Sequence, residues 1–202
     1  MNAELRTFLA CDLPVNVVDS IVRAQSLFVP EFPRFRWVKR ANLHLTMHFL
    51  GNVSKEIILH VTEKLNPLFN TNLVIQVRLQ EAGAFPRWTS PKVLWISLQG
   101  DLSQLQSLQK RTGDVLRDEG IFIDDRAFQP HITVARIPAD YSPDLTSIMK
   151  IRDYFNDAKS TANSLFRDSF LLPSITLYTS LLTPQGPVYT PYASWKLTSH
   201  GI

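Results

Sequence analysis

The chain has 202 residues but a single cysteine, Cys11, and no long hydrophobic run. One cysteine forms neither an intrachain disulfide nor a thiolate zinc cluster, so we interpret Cys11 as a small buried hydrophobe. No apolar run approaches the roughly 18 residues of a membrane span. The first residues also lack the apolar stretch and cleavage site of a signal peptide. We therefore expect a protein of a reducing compartment, the cytoplasm, with no membrane association.

The chain also has only a small excess of charge of one sign. The 21 lysines and arginines against 18 acidic residues give a formal net charge of +3. This small excess permits an anionic ligand, whereas proteins that wrap long nucleic acid usually carry more positive charge. A composition of 45% hydrophobic, 10% aromatic and 19% charged residues excludes disorder, collagen and coiled coil. The length fits one domain, or two small lobes that share a core.

The hydrophobic pattern predicts a mixture of strands and helices. Strands are predicted at 5–11, 43–50, 73–79, 93–98, 131–137, 166–171, 174–182 and 188–197, helices at about 17–27, 54–68, 101–119 and 141–159, and a loop at 83–91. Several strands follow one another through short turns, without regular βαβ alternation. This order favours an α+β fold with antiparallel sheets over a doubly wound parallel sheet.

Two of the predicted strands carry the same pattern of histidine, apolar residue, threonine and apolar residue. The first copy begins at His44 and the second at His131, 87 positions later, which is close to half the chain. Side chains alternate between the two faces of a strand. His44 and Thr46 therefore share one face, and His131 and Thr133 do the same, while the apolar residues point into a core.

A third histidine–x–threonine match, at His60 and Thr62, shows that a single copy of this pattern is weak evidence for a functional site. It lies within a predicted helix, where residues two apart point about 200° away from each other. We interpret it as an exposed helix pair. In a strand, by contrast, both groups lie side by side.

The paired strands indicate acid–base chemistry on an anion. If the half-chains are duplicated, a pseudo-two-fold axis would place both imidazoles at one cleft. With unperturbed pKa values of about 6.5, one imidazole can accept a proton and the other donate one near neutral pH. Threonine hydroxyls can donate to phosphate oxygens. Neither motif contains a carboxylate or a metal-ligand spacing, which argues against a two-metal phosphatase.

At these residues the chain resembles the 2H phosphoesterases, a family named for two His-x-Thr-x motifs. More narrowly, it is similar to the bacterial RNA 2′,3′-cyclic phosphodiesterases, also called 2′–5′ RNA ligases. The matching blocks are Arg6 to Ala10 with Leu13-Pro14, Trp37-Val38 with Asn42 to Thr46 and Phe49-Leu50-Gly51, Gly83 to Pro86 with Pro91 to Trp95, Phe128 to Arg136, and Leu177 to Ser180 with Gly186, Tyr189 and Leu197. The resemblance spans nearly the whole chain.

The resemblance implies a single domain over 1–202, built from two duplicated, pseudo-symmetric lobes. Each lobe would be an antiparallel sheet with helices on its outer face, and a groove would lie between them. His44 and His131 would be catalytic, and Thr46 and Thr133 would bind phosphate. The implied substrate is an RNA or nucleotide end with a 2′,3′-cyclic phosphate, opened to a 2′-phosphate, with reverse 2′–5′ ligation possible. We expect a monomer without metal or cofactor.

Two further residues are candidates for substrate binding. Arg136 follows Thr133 by three positions and would lie on the opposite face of a regular strand, but a bulge could bring it to the phosphate. His48 shares a face with His44 and Thr46 if alternation continues, so it could line the groove. Solvated side chains are the alternative for both. Phe8 and Trp37 could stack on a base, although core packing is favoured for each.

Several alternatives remain open at the level of sequence. The residues do not decide which histidine is the base and which is the acid. The segment 141–164 matches no family motif. A non-catalytic nucleotide or RNA-end binding module is a rival function, although both histidines and both threonines are intact. A second rival is a 2H phosphodiesterase acting on another cyclic or 2′–5′ phosphodiester.

Overall fold

The computed structural model describes residues 4–70, 73–124, 126–156, 166 and 168–197. Across these residues the strands are β1 (Leu5–Cys11), β2 (Arg36–Trp37), β3 (Leu45–Val53), β4 (Gln76–Phe85), β5 (Val93–Gly100), β6 (His131–Arg136), β7 (Phe170–Leu171), β8 (Ser174–Thr183) and β9 (Gly186–Lys196). The helices are α1 (Val15–Phe28), α2 (Lys55–Phe69), α3 (Leu102–Asp118) and α4 (Leu145–Asn156), with a short 3₁₀ helix at Arg40–Asn42.

The strands form one antiparallel sheet made of two halves. Its order is β7-β4-β5-β6-β3-β1-β8-β9, and β2 pairs with the C-terminal end of β6. The halves meet at β3 and β6, which share a single residue pair, Leu45 opposite Ile132. One half contains β3, β1, β8 and β9, in that order. The C-terminal strands β8 and β9 therefore belong to the same lobe as the N-terminal strand β1. The predicted α+β class, with two antiparallel lobes, is confirmed.

The helices cover one face of this sheet and bury its apolar side chains. On that face α2 and α3 contact each other and the half containing β3 and β9, whereas α4 packs on β4. Gln25 on α1 lies beneath the other half, where its amide donates to the carbonyls of Val38 and Val134. Ser54 caps α2 by accepting a hydrogen bond from the backbone N–H of Ile57, as its sequence position indicates.

Several boundaries differ from the prediction. The predicted loop at 83–91 begins later, because β4 continues through Gly83 to Phe85 and pairs with β5 over that length. The predicted strand at 166–171 is reduced to the two residues of β7. The irregular helix at 141–159 begins at Leu145 in α4, and its predicted end lies outside the described residues. Among the described residues, no helix is long and apolar enough to cross a membrane.

Candidate active site

The two motif histidines lie where the two halves of the sheet meet. His44 precedes Leu45 and His131 precedes Ile132, and these two apolar residues form the single antiparallel pair between β3 and β6. The two motifs therefore run past each other in opposite directions, as a pseudo-two-fold axis requires. Thr46 and His131 line one cleft together. The structure thus brings together the histidines that the sequence predicts as partners.

Both imidazoles are held in the same way. The Nδ1 atom of His44 lies 2.7 Å from the carbonyl oxygen of Asn42, and that of His131 lies 2.7 Å from the carbonyl oxygen of Gln129. In each case the acceptor is two residues earlier in the chain. Because a carbonyl only accepts, Nδ1 must carry the proton, and this leaves Nε2 to exchange protons. In His44 this Nε2 lies 2.9 Å from Oγ1 of Thr46, whose hydroxyl donates to it. The two rings are therefore fixed in one tautomer.

Aromatic rings form the walls around each histidine. The ring of His44 lies 5.0 Å from Phe8 and 5.5 Å from Tyr189, measured between centroids. The ring of His131 lies 5.2 Å from Phe85 and 5.9 Å from Trp95. Phe8 itself is 3% exposed, which agrees with the packing role favoured from the sequence. Rings on both sides restrict the imidazole rotamers and so fix where Nε2 points.

Gly83 makes room for one of these walls. It pairs with Trp95 between β4 and β5, and a Cβ at Gly83 would lie 2.1 Å from the indole ring. The indole therefore lies across the glycine, and from there it reaches His131. The sequence singles out this glycine as part of a loop, whereas the structure gives it a packing role inside a strand.

A β-bulge in β6 brings Arg136 into the site. Thr133 pairs with Trp95 and Ala135 pairs with Leu94, so Val134 is an extra residue in the ladder. The bulge cancels the change of face expected over three residues, and Arg136 lies on the same face as Thr133. Its guanidinium acts electrostatically on both His44 and His131. The bulge is the alternative that the sequence left open for this residue.

A second bulge, in β3, removes His48 from that face. Thr46 pairs with Ala10 and His48 pairs with Leu9, so Met47 is the extra residue. The expectation that His48 shares a face with His44 and Thr46 is wrong, because alternation stops at the bulge. The imidazole is 4% exposed, and its Nε2 lies 2.8 Å from the carbonyl oxygen of Gln109 on α3. It is buried at the base of the cleft between β3 and α3.

Asp12 is a residue that the sequence analysis missed. Its carboxylate accepts hydrogen bonds from the hydroxyls of Ser174, Thr176 and Tyr178, with the last two at 2.6 Å. Tyr178 stacks on Phe8, which in turn packs against His44. The signal that could have found Asp12 is the row of hydroxyl residues at every second position of β8, since hydroxyls withdrawn from water on one face need hydrogen-bond partners.

Burial lowers the pKa of both catalytic candidates below the ordinary histidine value. For His44 the largest cause is burial, opposed by the hydrogen bond to Asn42 and the charge of Asp12, and reinforced by Arg136 and His131. For His131, burial and Arg136 outweigh the hydrogen bond to Gln129. Both effects disfavour the imidazolium form in the free protein. A bound anionic phosphate would act in the opposite direction.

The remaining histidine motif and the lone cysteine stay outside the site. His60 lies on α2, with its side chain more than half exposed, and its Nε2 lies 2.8 Å from Glu119. The interpretation as an exposed helix pair holds for His60, whereas Thr62 is half-buried and donates to the carbonyl of Ile58. Cys11 is fully buried, and burial strongly raises the pKa of its thiol. The described residues contain no group of three or more metal-ligating side chains.

Comparison with known proteins decides the family. The model of the 2′-5′ RNA ligase superfamily matches residues 14–167. The chain belongs to this superfamily. It is 30% identical over 194 residues to the RNA 2′,3′-cyclic phosphodiesterase of Methanocaldococcus jannaschii, covering 95% of this chain and all of that protein. The resemblance to the 2H phosphoesterases drawn from the two motifs is thereby confirmed.

Two solved structures have the same fold. LigT of Escherichia coli, complexed with 3′-AMP, superimposes with a TM-score of 0.72 at 25% identity, over 97% of this chain and 99% of that one. The protein TT0787 of Thermus thermophilus gives a TM-score of 0.73 at 27% identity, over 97% of this chain and all of that one. The superfamily fold therefore covers 97% of this chain in both comparisons.

Proposed function

We propose that this protein hydrolyses the 2′,3′-cyclic phosphate of RNA or nucleotide ends to a 2′-phosphate. The observation that carries the proposal is the pair of histidines at the junction of the two lobes. Both are anchored through Nδ1 to a backbone carbonyl, which leaves Nε2 for proton exchange, and in His44 this Nε2 accepts a hydrogen bond from the hydroxyl of Thr46. The activity of similar proteins, such as that of M. jannaschii, supports the same substrate class.

The chemistry needs one base, one acid and charge stabilisation on phosphorus. One Nε2 removes a proton from water as its oxygen forms a bond to phosphorus. The bond from phosphorus to the ribose 3′ oxygen breaks, and the Nε2–H of the other histidine protonates that oxygen. The hydroxyls of Thr46 and Thr133 and the guanidinium of Arg136 are assigned to the phosphate oxygens, on which negative charge develops.

The same groups can work in reverse. If a 5′-hydroxyl takes the place of water, the base removes its proton and a 2′–5′ phosphodiester forms. Water is in vast excess, so hydrolysis should dominate under ordinary conditions. We also propose that the protein acts as a monomer in the cytoplasm, a reducing compartment that suits its single free cysteine.

The test is turnover of a cyclic mononucleotide in the presence of a chelator. We expect hydrolysis of adenosine 2′,3′-cyclic phosphate to adenosine 2′-phosphate, at a rate unchanged by EDTA. Binding of the cyclic nucleotide without turnover would instead favour a non-catalytic binding module. Rapid cleavage of a 2′–5′ dinucleotide with no cyclic phosphate hydrolysis would favour another phosphodiester. Loss of activity with EDTA and its return with a divalent ion would contradict metal independence.

A further inference from the structure

The junction of the two lobes continues into a cleft that the two histidines do not fill. After the pair Leu45–Ile132, β3 and the chain leading to His131 diverge. They enclose a cleft of about 790 Å³ that reaches from Thr46 and His131 along β3 to Gly51, with residues 122–124 and 126–129 on its other side. Clefts that bind small organic ligands have roughly 300–1,000 Å³, so this one has room beyond a single cyclic phosphate.

The cleft breaks the pseudo-symmetry of the molecule. On the other side of the axis, Arg36 and Trp37 form β2 and close the ladder by pairing with β6. The positions that correspond to them, 87 residues later, are Ile123 and Asp124. In the described part of the chain these two residues form no ladder with β3. A substrate therefore has space on this side, and a strand occupies the equivalent space on the other side.

The walls of the cleft are suited to bases more than to phosphates. The side chains of Phe49 and Phe122, which both line it, are 58% and 87% exposed. An aromatic ring as exposed as that of Phe122 has apolar surface that a partner can cover. The charged residues Asp124 and Arg126 on the same wall form an ion pair with each other, so their charges largely cancel. Nucleobases stack on such exposed aromatic rings.

We propose that this cleft binds the penultimate nucleotide of the RNA, which is joined to the 5′ side of the nucleotide that carries the cyclic phosphate. The base of this penultimate nucleotide stacks on Phe122. The proposal rests on the proposed function and narrows its substrate class to RNA ends of two or more nucleotides. The cyclic phosphate lies between His44 and His131, and the chain runs along β3 towards Phe49 and Phe122. A mononucleotide reaches the histidines but leaves Phe122 exposed to solvent.

The experiment compares two substrates and a small set of variants. The substrates are adenosine 2′,3′-cyclic phosphate and the dinucleotide that ends in the same group. One stacked base corresponds to a change of about 5- to 150-fold, so kcat/KM for the dinucleotide should exceed that for the mononucleotide by a factor in this range. Phe122→Ala should remove most of this advantage and leave the mononucleotide value within about twofold. Phe122→Trp should keep it.

Controls separate stacking from general effects. Leu181→Ala changes a side chain that is 68% exposed on β8, away from the cleft, and should alter neither value. A dinucleotide with an abasic penultimate ribose should lose the advantage in the unmodified protein and show no further loss in Phe122→Ala. Equal kcat/KM values for both substrates, or a Phe122→Ala effect of the same size on both, would overturn the proposal.

A binding measurement keeps the two proposals distinguishable. Calorimetry with the dinucleotide 2′-phosphate and with adenosine 2′-phosphate requires no turnover. Tighter binding of the dinucleotide that depends on Phe122 would support the base site even if the hydrolytic function were wrong. Equal affinities that Phe122→Ala does not change would overturn it even if cyclic mononucleotides were hydrolysed.

Discussion

His44 and His131 are both half-buried and share two properties. Each donates through Nδ1 to a carbonyl of its own chain, and each is confined by aromatic rings. The anchors set the tautomer, and the rings set the orientation. Neither feature consumes Nε2, which the proposed reaction needs. The Nδ1 anchors are equivalent, so the acid and the base differ through their surroundings, one difference being the Thr46 hydroxyl at Nε2 of His44.

Removal of either imidazole should abolish most of the activity. We expect His44→Ala and His131→Ala each to lower kcat for a cyclic nucleotide by at least about 10²-fold, the lower range for general acid–base catalysis. His60→Ala is the matched control, because this residue carries the same short motif on α2 and lies outside the site. Circular dichroism should show that all three variants are folded. Near-normal activity in a folded His44→Ala or His131→Ala would contradict the mechanism.

The pH dependence should show both imidazoles. The rate falls at low pH when the base is protonated and falls at high pH when the acid is deprotonated. The profile of rate against pH is therefore bell-shaped. Since burial and Arg136 lower both pKa values, the bell in kcat/KM should be centred below about pH 6.5, the ordinary histidine value. The bell in kcat should lie at higher pH, because bound phosphate favours imidazolium. A flat profile from about pH 5 to 9 would exclude a pair of titrating histidines.

Substitution of Asp12 should shift one limb of this bell-shaped pH profile. Its negative charge favours the protonated form of His44, against the effect of burial. Asp12→Asn removes this charge but can still accept hydrogen bonds from the hydroxyls on β8. We expect one limb of the kcat/KM profile to shift towards lower pH while the other stays in place. No shift would show that Asp12 acts only as a structural acceptor, and a parallel shift of both limbs would contradict a selective effect on His44.

At the scale of single elements, two bulges decide which side chains reach the groove. In β6 the extra residue Val134 brings Arg136 to the face of Thr133. In β3 the extra residue Met47 moves His48 to the helix side, where Gly113 of α3 leaves space for its ring; a Cβ there would lie 3.0 Å from the imidazole. One bulge therefore adds a cation to the site, and the other removes an imidazole from it.

Paired substitutions on β3 test this arrangement. Thr46→Val removes a hydroxyl assigned to the phosphate and should lower kcat/KM by about 10-fold or more, the effect of one hydrogen bond to a charged group. His48→Gln should leave kcat/KM within about threefold but lower the free energy of unfolding by roughly 1–3 kcal/mol, since it replaces a buried ring. Activity loss in His48→Gln with an unchanged melting temperature would instead place His48 in contact with substrate.

At the scale of the whole molecule, three histidines with lowered pKa values link stability to pH: His48, which is buried, and His44 and His131, which are half-buried. The pKa values of His44, His48 and His131 are all lowered in the folded protein, mainly by burial. Below about pH 6.5 the unfolded chain therefore binds more protons than the folded one, and stability falls with falling pH until the folded values are reached. At pH 7.5 and above, this contribution is fully present.

Urea unfolding between pH 8 and 5 measures this linkage, and it avoids the range in which carboxylates titrate. The unmodified protein should lose stability below about pH 6.5, and His48→Gln should show a smaller loss because one of the three groups is gone. Constant stability over this range would mean that the three imidazoles do not resist protonation in the folded state.

The sequence predicted those parts of the site that depend on one strand at a time. His44 and Thr46, or His131 and Thr133, share a face because alternation is a local property of extended backbone. The same rule failed for His48 and left Arg136 open, because a bulge depends on the ladder with the neighbouring strands. Asp12 was missed for a related reason: its partners lie on β8, more than 160 positions later in the chain.

The amino-acid sequence by itself determined the chemical groups of this protein and most of the strands and helices that carry them. The physical reason is that hydrophobic periodicity and the His-x-Thr motif depend on residues that are close together in the chain. Tertiary structure alone decided how those groups meet. The single pair Leu45–Ile132 brings the two histidines together, and the bulges at Met47 and Val134 choose which neighbours join them. The divergence beyond that pair opens the cleft beside Phe122, because strands that no longer share a ladder leave space between them.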